Sequence, residues 1–305
     1  MLLSSTRQEW ERVEASGRRS IRAIASGMKV AIATPTHDGN VTYEYLHSLR
    51  ALESEFRKNQ IESTLITLES TTLAFARNTL ASIVMNDKSY THLLFVDADM
   101  GFMPESVMKL IRSGHAVAGC VCPARQLNLV KFHAASRSVP SPEQAQLIAA
   151  DYVASAALER NHRGQYDIKD GFVRTRRIGM GITLIRREAL EELAEKQPEL
   201  VSSSDKDRYY ATAVKGAVLQ CFANIYANGV LASEDASFCK RWIQCGGEIW
   251  ALIDQTVVHV GRYKFRGNFA KSMENLASAS PDFPAPPREL SGDLIRPEDQ
   301  KHGHR

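Results

Sequence analysis

The chain has 305 residues, a net charge of +3, 44% hydrophobic and 24% charged residues, and five cysteines. This composition excludes collagen-like, disordered and disulfide-scaffold proteins, and the length suffices for one large or two modest domains. The charge is too mild to indicate nucleic-acid binding, and no apolar run reaches the roughly 18 residues of a membrane-spanning helix. The odd number of cysteines and the lack of an apolar secretory segment predict a cytoplasmic protein without an integral membrane segment.

Up to about residue 122, segments of strand character alternate with segments of helical periodicity. The predicted strands are 30–33, 63–70, 92–96 and 115–122, and the predicted helices are 42–58, 73–86 and 104–114. Strands that alternate with helices of this length are typical of parallel sheets. The sequence therefore predicts an α/β fold with a mixed, mainly parallel sheet flanked by helices.

Beyond residue 122 the pattern is less regular. Residues 123–165 are weakly patterned, 171–190 predict two strands leading into a helix, 234–246 predict a helix, and 247–261 predict a strand. The last segment is rich in proline and charge, which is typical of a disordered tail. We expect an N-terminal helical leader (1–27), one domain (28–270) with halves at 28–122 and 123–270, and a flexible C-terminal tail (271–305).

Three of the predicted strands end in polar or acidic residues. These are Thr34, Pro35 and Thr36 after the first strand, Glu69 and Ser70 after the second, and Asp97 and Asp99 after the opening strand of "THLLFVDADMGFMPESV". The carboxyl ends of parallel strands lie along one edge of a sheet, where open α/β sheets bind ligands. The sequence therefore predicts a single site at this edge.

Asp97 and Asp99 are the central feature of this site. If the chain stays extended, their side chains point to the same side, because side chains alternate along a strand. Two carboxylates so close need a shared proton or a cation, and oxygen ligands favour Mg²⁺ or Mn²⁺. The alternative is that both residues merely cap the following turn.

Two further acidic residues and a histidine occur downstream. Glu234 and Asp235 follow Ser233 at the start of a predicted helix, where acidic residues are also common simply as caps. His259 lies at the end of an apolar strand, and a neutral imidazole there could bind a metal ion. The order of carboxylate pair, Glu-Asp and histidine favours a catalytic interpretation over separate structural roles.

Four segments together resemble a known family of enzymes. "LLFVDADMGFMPESVMKLI", "RIGMGITLIRREAL", "EDASFCKRWIQCGGEIWA" and "VVHVGRYKFRGN" resemble the core of the GT-A glycosyltransferases, near the large inverting family two, over residues 28–270. The resemblance implies a nucleoside-diphosphate sugar as donor and Mn²⁺ or Mg²⁺ as cofactor. It implies transfer to an acceptor hydroxyl, and leaves open whether the acceptor is a glycan, a protein, a lipid or a modified nucleobase.

The resemblance also implies roles for individual residues. The metal ligands would be Asp97, Asp99 and His259, with Asp97 also holding the ribose or a metal-bound water. The general base would be Asp235 or, as the alternative, Glu234. The nucleotide pocket would be lined by Thr34, Pro35, Thr36, Arg77 and Asn78. Gly179, Met180 and Gly181 would form a close-packed floor. Apart from the resemblance, the position of Lys264, Arg266 and Arg262 just after His259 suggests either a flexible loop that closes over the diphosphate or an ordinary solvated charge cluster.

Departures from the family pattern narrow these expectations. Only Arg241 and Trp242 remain of the Gln-x-x-Arg-Trp signature of processive members, which favours an enzyme that makes single transfers. The segment "TPTHDGN" lacks the usual acidic uracil-pocket pattern and leaves the donor base open. Retaining GT-A enzymes share the carboxylate pair and the late histidine, so the resemblance only favours inversion. The oligomeric state is also left open.

Three other functions are compatible with the carboxylate pair. A phosphohydrolase of the haloacid-dehalogenase type would use Asp97 as nucleophile, but Gly101 stands where a small hydroxyl residue or valine is usual. A nucleotidyltransferase would need a glycine-rich basic loop after the first strand, and "TPTHDGN" holds no lysine or arginine. A non-catalytic nucleotide-sugar-binding module would not need the Glu234-Asp235 pair.

Overall fold

The structure is a computed structural model that describes residues 27–206, 209–261 and 264–277. The predicted leader up to residue 26, and the predicted tail from residue 278 onward, lie outside the described residues. Within the described ranges, none of the helices has the length and apolar character needed to cross a membrane.

Helices and strands alternate through most of the described chain. The strands are β1 (Lys29–Thr36), β2 (Glu62–Glu69), β3 (His92–Val96), β4 (Met100–Phe102), β5 (Val117–Cys120), β6 (Pro123–Leu127), β7 (Ala150–Tyr152), β8 (Phe172–Thr175), β9 (Ile182–Arg186), β10 (Val201–Ser203), β11 (Ala217–Leu219), β12 (Tyr226–Ala227), β13 (Val230–Leu231), β14 (Ile249–Leu252), β15 (Val257–Val260) and β16 (Lys264–Gly267). The helices are α1 (Tyr43–Lys58), α2 (Leu73–Asn86), α3 (Pro104–Ser113), α4 (Leu129–Ala135), α5 (Pro142–Ala149), α6 (Arg187–Lys196), α7 (Glu234–Gln244) and α8 (Phe269–Ala277).

A seven-stranded sheet in the order β2-β1-β3-β9-β5-β14-β8 forms the centre of the molecule. Strands β2, β1, β3, β5 and β14 run in one direction, whereas β9 and β8 run antiparallel to their neighbours. The predicted α/β fold with a mixed, mainly parallel sheet is confirmed. Inner strands are largely apolar, as expected where helices cover both faces of a sheet, and the run Leu93–Val96 is fully buried.

Local sequence signals explain the helices that surround this sheet. In α1, Tyr45, Leu49, Leu52 and Phe56 recur at helical spacing and are buried, and the hydroxyl of Thr42 accepts the N–H of Tyr45 as the N-cap. Helix α3 begins at a proline and ends at a glycine in the left-handed region, with φ 69°. These signals place both helices where the sequence predicts them.

The predicted strand 247–261 is wrong as a single element. The chain leaves the central sheet after β14, and β15 joins a separate three-stranded sheet in the order β16-β15-β4. The break falls at residues 253–256, where the amide of Ile253 donates to the carbonyl of Gly171 and Asp254 pairs with Lys109 at 2.7 Å. This change of sheet carries the end of β15 to the turn that follows β3.

The cysteines are core residues. All five are buried and free. Burial raises the pKa of Cys120 to about 12, so its thiol stays protonated at neutral pH. At the other end of the domain, helix α8 runs across residue 270, where the sequence predicts a boundary.

Candidate active site

The candidate site begins at the turn formed by residues 97–99, between β3 and β4. The N–H of Asp97 donates to the carbonyl of Gly181 at 3.0 Å, and the N–H of Met100 donates to the carbonyl of Asp97 at 3.0 Å. The chain is therefore not extended here, and the alternation expected of a strand does not apply. Instead of sharing one partner, Asp97 and Asp99 contact different cations.

Asp99 contacts a guanidinium and an imidazole. Its Oδ2 lies 3.0 Å from Nη1 of Arg125 and 3.4 Å from Nε2 of His259. Burial acts to raise the pKa of Asp99, but the interactions with His259 and Arg125 outweigh it and lower this pKa below 3.8. Asp99 is thus a carboxylate at neutral pH, with 24% of its side chain exposed.

His259 reaches Asp99 because β15 pairs with β4 and sets His259 opposite Met100. Its Nδ1 lies 2.8 Å from the carbonyl of Pro123, which can only accept, so Nδ1 carries a hydrogen. In the neutral ring the lone pair of Nε2 then faces Asp99. Burial acts to lower the pKa of His259, but the interaction with Asp99 outweighs it and raises this pKa above 6.5.

This pair of donors fits a divalent cation. A lone pair and a carboxylate oxygen that face each other at 3.4 Å need a proton or a metal ion between them. A hydrogen bond from the second ring nitrogen to a carbonyl is the usual way to orient a metal-binding histidine. Mg²⁺ is commonly bound through one or two protein groups together with substrate phosphates. Asp99 and His259 therefore suit a site that a diphosphate completes.

The predicted trio of metal ligands is not assembled. Among the described residues, no cluster of three or more His, Cys, Asp or Glu side chains could hold a metal ion. Asp97 instead contacts Arg77, with Nη2 at 3.0 Å from Oδ1 and 3.2 Å from Oδ2. The carboxylate of Asp97 therefore contacts a guanidinium, and its role as a metal ligand stays a prediction.

Arg77 links the turn to helix α7. Its Nε lies 3.4 Å from Oε1 of Glu234, while its Nη2 contacts Asp97. The guanidinium is 2% exposed and Glu234 is 17% exposed. Strand β3 and helix α7, which are distant in sequence, are therefore joined by one buried cation.

Asp235 has different surroundings from Glu234. Its Oδ1 accepts hydrogen bonds from the hydroxyl of Ser233 and from the N–H of Ala236, the latter at 2.6 Å. Among the described residues, no basic side chain forms an ion pair with Asp235. Because Glu234 is held by Arg77, Asp235 is the better placed of the two to act as a base.

The predicted glycine floor is tight at one of its two glycines. A Cβ on Gly179 would lie 3.1 Å from Cγ1 of Val153 and 3.9 Å from Oδ2 of Asp235. A Cβ on Gly181 would meet only ordinary van der Waals contacts, with Sδ of Met100 at 3.5 Å. The structure therefore brings Gly179 to Asp235 and Gly181 to the turn at residues 97–99.

The residues at the end of β1 are less accessible than the sequence suggests. Thr34 is completely buried and its hydroxyl lies 2.7 Å from that of Tyr45. Pro35 and Thr36 are also buried. The only polar side-chain atom of Thr34 is used within the core, and its place in a nucleotide pocket stays a prediction. The exposed residues at this strand end are 37–40.

Asn78 and Lys264 were also assigned to the donor site. The Oδ1 of Asn78 accepts the N–H of Phe222 at 2.7 Å, and the residue is 2% exposed. This bond ties α2 to the loop before α7. Lys264 is the first residue of β16, and its side chain and Arg262 lie outside the described part of the chain. Arg266 is exposed on the same strand.

Sequence reasoning missed Arg125 and the carbonyl of Pro123. Both belong to β6, a segment without clear periodicity, and backbone acceptors leave no mark in a sequence. The dual contact of Arg77 could have been suspected, because an arginine within the apolar pattern of "LAFARNTLASIVMN" needs buried partners.

No protein-family model and no curated protein matches the chain. Among solved structures, it is similar to A197 from STIV, at 15% identity and a TM-score of 0.41 over 79% of this chain and 95% of that one. It is similar to a mutant Drosophila beta-1,4-galactosyltransferase 7 in complex with manganese, UDP-Gal and xylobiose, at 12% identity and a TM-score of 0.36 over 74% of this chain and 65% of that one. It is also similar to GalNAc-T7 with UDP, GalNAc and Mn²⁺, at 13% identity and a TM-score of 0.39 over 77% and 44%. Similarity this low assigns no activity to this chain.

Proposed function

We propose that the chain is a metal-dependent GT-A glycosyltransferase that transfers a sugar from a nucleoside-diphosphate donor to an acceptor hydroxyl. The observation that carries the proposal is the convergence of Asp99, His259 and the start of α7 on one sheet edge. Arg77 joins these parts through Asp97 and Glu234. The family resemblance of the four sequence segments points to the same chemistry.

Asp99 and His259 would hold Mn²⁺ or Mg²⁺ on the donor side. Such an ion, when bound with a diphosphate, acts as a Lewis acid for the departing phosphate oxygens. The protein's own contribution is orientation, because the hydrogen bond to Pro123 fixes which ring nitrogen of His259 faces the site. Arg125 adds positive charge beside Asp99 on the exposed side.

Asp235 would accept the proton of the acceptor hydroxyl. It lies in the first turn of α7, where the N-terminal dipole favours the ionised carboxylate. Gly179 leaves the space in front of its Oδ2 free of a side chain. A carboxylate base that activates an incoming hydroxyl suits a single-displacement reaction, so we propose inversion at the transferred sugar.

Arg241 and Trp242 support single transfers over processive synthesis. The Nη1 of Arg241 donates to the carbonyls of Cys221 and Ala223, and the indole N–H of Trp242 donates to Glu248. Both residues are buried. Their resemblance to the processive signature is thus accounted for by packing of α7.

The acceptor would approach along the hairpin that precedes α7. Tyr226 pairs with Leu231 across this hairpin, and both side chains are largely exposed, at 72% and 64%. An aromatic and an aliphatic side chain exposed on this hairpin would suit the apolar face of a sugar ring or a lipid-linked acceptor. The proposal leaves the acceptor open among a glycan, a protein, a lipid and a modified nucleobase.

Asp97 does not suit the phosphohydrolase alternative. A nucleophilic carboxylate must be free to attack phosphorus, and both oxygens of Asp97 contact Nη2 of Arg77. The nucleotidyltransferase alternative lacks support for another reason, since the exposed residues 37–40 hold no lysine or arginine.

A thermal-shift screen of ADP, CDP, GDP and UDP with Mn²⁺ tests the donor side of the proposal. We expect one nucleotide to raise the melting temperature only when Mn²⁺ is present, and Asp99→Ala to abolish this shift. Asp235→Asn should keep the shift and lose sugar transfer. Stabilisation by nucleotide without metal, or by none of the four, would contradict the proposal.

A further inference from the structure

We propose that Arg77 is a positioning residue that fixes the distance between the turn at residues 97–99 and the first turn of α7. This inference rests on the proposed function, in which these two segments carry the donor side and the base. It differs from the expected role of Arg77 as a nucleotide contact. The Arg77 side chain is 2% exposed, and its guanidinium contacts two protein carboxylates, those of Asp97 and Glu234.

The geometry of the contacts requires an arginine. Nη2 contacts both oxygens of Asp97, at 3.0 and 3.2 Å, while Nε lies 3.4 Å from Glu234. A guanidinium is planar and presents its N–H groups in fixed directions, so two carboxylates bound to it have a fixed separation. A lysine ammonium is a single point and cannot set this separation.

The environment of Arg77 does not maximise stability. Nε and Nη1 are buried without a hydrogen-bond partner, although Nε contacts Glu234 as an ion pair. Burying a cation with unsatisfied donors is costly, and an apolar residue of similar size would avoid this cost. Such a local violation of packing rules is expected at positions that function maintains.

An aromatic column runs beside this bridge and ends in α7. The Arg77 guanidinium carbon lies 5.2 Å from the ring centroid of Phe95, which meets Phe222 edge-on at 5.4 Å. Phe222 stacks on Phe238 at 4.7 Å and an interplanar angle of 8°. Phe238 lies one helical turn after Glu234, so the column and the ion pair hold the same end of α7.

The residue next to Arg77 reinforces the arrangement. Asn78 accepts the N–H of Phe222 through its side chain, which fixes the backbone of the aromatic residue at the centre of the column. Two consecutive polar residues of α2 therefore act on the loop and helix that carry Asp235. A shift of about 1 Å in a reacting group can cost on the order of 100-fold in rate, so such support affects turnover directly.

Hydrogen–deuterium exchange of the substrate-free protein tests this inference without relying on activity. In Arg77→Met, we expect exchange several-fold faster at both the Met100 amide and the Ser237 amide, which bond to Asp97 and Ser233 in the wild type. The matched control is Arg187→Met. Arg187, on a different helix, likewise has two acceptors, the carbonyl of Tyr90 and the carboxylate of Glu191. It should leave both amides unchanged.

A double variant and a conservative variant complete the experiment. Arg77→Met combined with Glu234→Gln should exchange no faster at Ser237 than Arg77→Met alone, because both remove the same link. Arg77→Lys keeps the positive charge beside the two carboxylates, so we expect it to fold. Exchange should still be faster in at least one of the two segments. In each variant that carries an Arg77 substitution, kcat for transfer should fall, while nucleoside-diphosphate binding with Mn²⁺ stays within a few-fold of wild type.

Three outcomes would overturn the inference. The first is unchanged exchange at Ser237 in Arg77→Met or, if that variant does not fold, unchanged exchange at both Met100 and Ser237 in Arg77→Lys. The second is loss of nucleotide binding with unchanged exchange, which would make Arg77 a donor contact. The third is additive effects in the double variant. If the wild type transfers no sugar, the proposed function fails, but the exchange results still decide whether Arg77 couples the two segments.

Discussion

Nε2 of His259 lies 3.4 Å from Oδ2 of Asp99, although the two residues belong to segments far apart in sequence. The contact exists because the chain leaves the central sheet after β14, and β15 then pairs with β4, the strand directly after Asp99. A histidine oriented through Pro123 and a carboxylate of lowered pKa thus form the part of the candidate site that we propose to bind the metal ion.

The first prediction concerns His259 as a metal ligand. His259→Ala removes one of two protein donors, so we expect Mn²⁺-dependent nucleotide binding to weaken by at least tenfold, on the order of the effect of losing a group that orients a metal ligand. Isothermal titration calorimetry with the nucleotide found in the screen measures this. His47→Ala, at an exposed histidine of α1, should bind as the wild type. Equal affinities in the two variants would exclude His259 from the metal site.

The second prediction concerns pH in the metal-free protein. The folded-state pKa of His259 is raised, so its pairing with Asp99 adds stability that is full below about pH 6.5, its unfolded pKa, and is lost as pH rises through the folded value. Urea unfolding with EDTA should therefore show that Asp99→Asn is more destabilising at about pH 5 than at about pH 8.5.

The control for this pH effect is Asp254→Asn. Asp254 pairs with Lys109 and this ion pair contains no histidine, so the destabilisation should be the same at both pH values. The same proton competes with the cation, and Mn²⁺ binding should weaken as pH falls through the raised pKa of His259. A pH-independent effect of Asp99→Asn would show that the pair does not ionise as described.

The third prediction concerns the aromatic column. Phe222→Leu removes two ring–ring contacts, and we expect it to lower the free energy of unfolding by about 1–3 kcal/mol and kcat severalfold. Phe56→Leu, at a buried core residue of α1, should cost similar stability and leave kcat unchanged. Chemical denaturation and initial rates distinguish stability from catalysis. A Phe222 variant with wild-type kcat would leave the column without a role in turnover.

The fourth prediction concerns the space beside the base. In Gly179→Ala the new methyl group meets Val153 at 3.1 Å and reaches within 3.9 Å of Oδ2 of Asp235. We expect the acceptor KM to rise and kcat to fall, with donor binding unchanged. Gly181→Ala, which meets only ordinary contacts, should have the smaller effect. Steady-state kinetics in both substrates measure this difference, and equal kinetics of the two variants would contradict it.

Much of the central sheet was predictable because its signals are local. Helix 73–86 and strand 92–96 coincide with their predicted bounds, since an apolar face or a fully apolar run identifies each. The prediction of one continuous strand over 247–261 is wrong because both halves of this segment are apolar. Only the pairing with β4 and β16, a tertiary relationship, separates them.

The candidate site was predictable in its members more than in its contacts. Asp99 and His259 come together as the resemblance implies, whereas Asp97 turns to Arg77. The cation that each carboxylate contacts depends on the turn at residues 97–99 and on side chains from other helices and strands. Composition and periodicity carry no signal for either. The hydroxyl of Thr34 likewise contacts the hydroxyl of Tyr45 inside the core, and that contact too is tertiary.

The three-stranded sheet formed by β16, β15 and β4 has a consequence for biosynthesis. Strand β4 is made early, but it pairs with β15, which is synthesised after all seven strands of the central sheet. Closing so long a loop is among the slower steps of folding. A nascent chain would therefore carry its acidic turn without the imidazole until β15 has been synthesised.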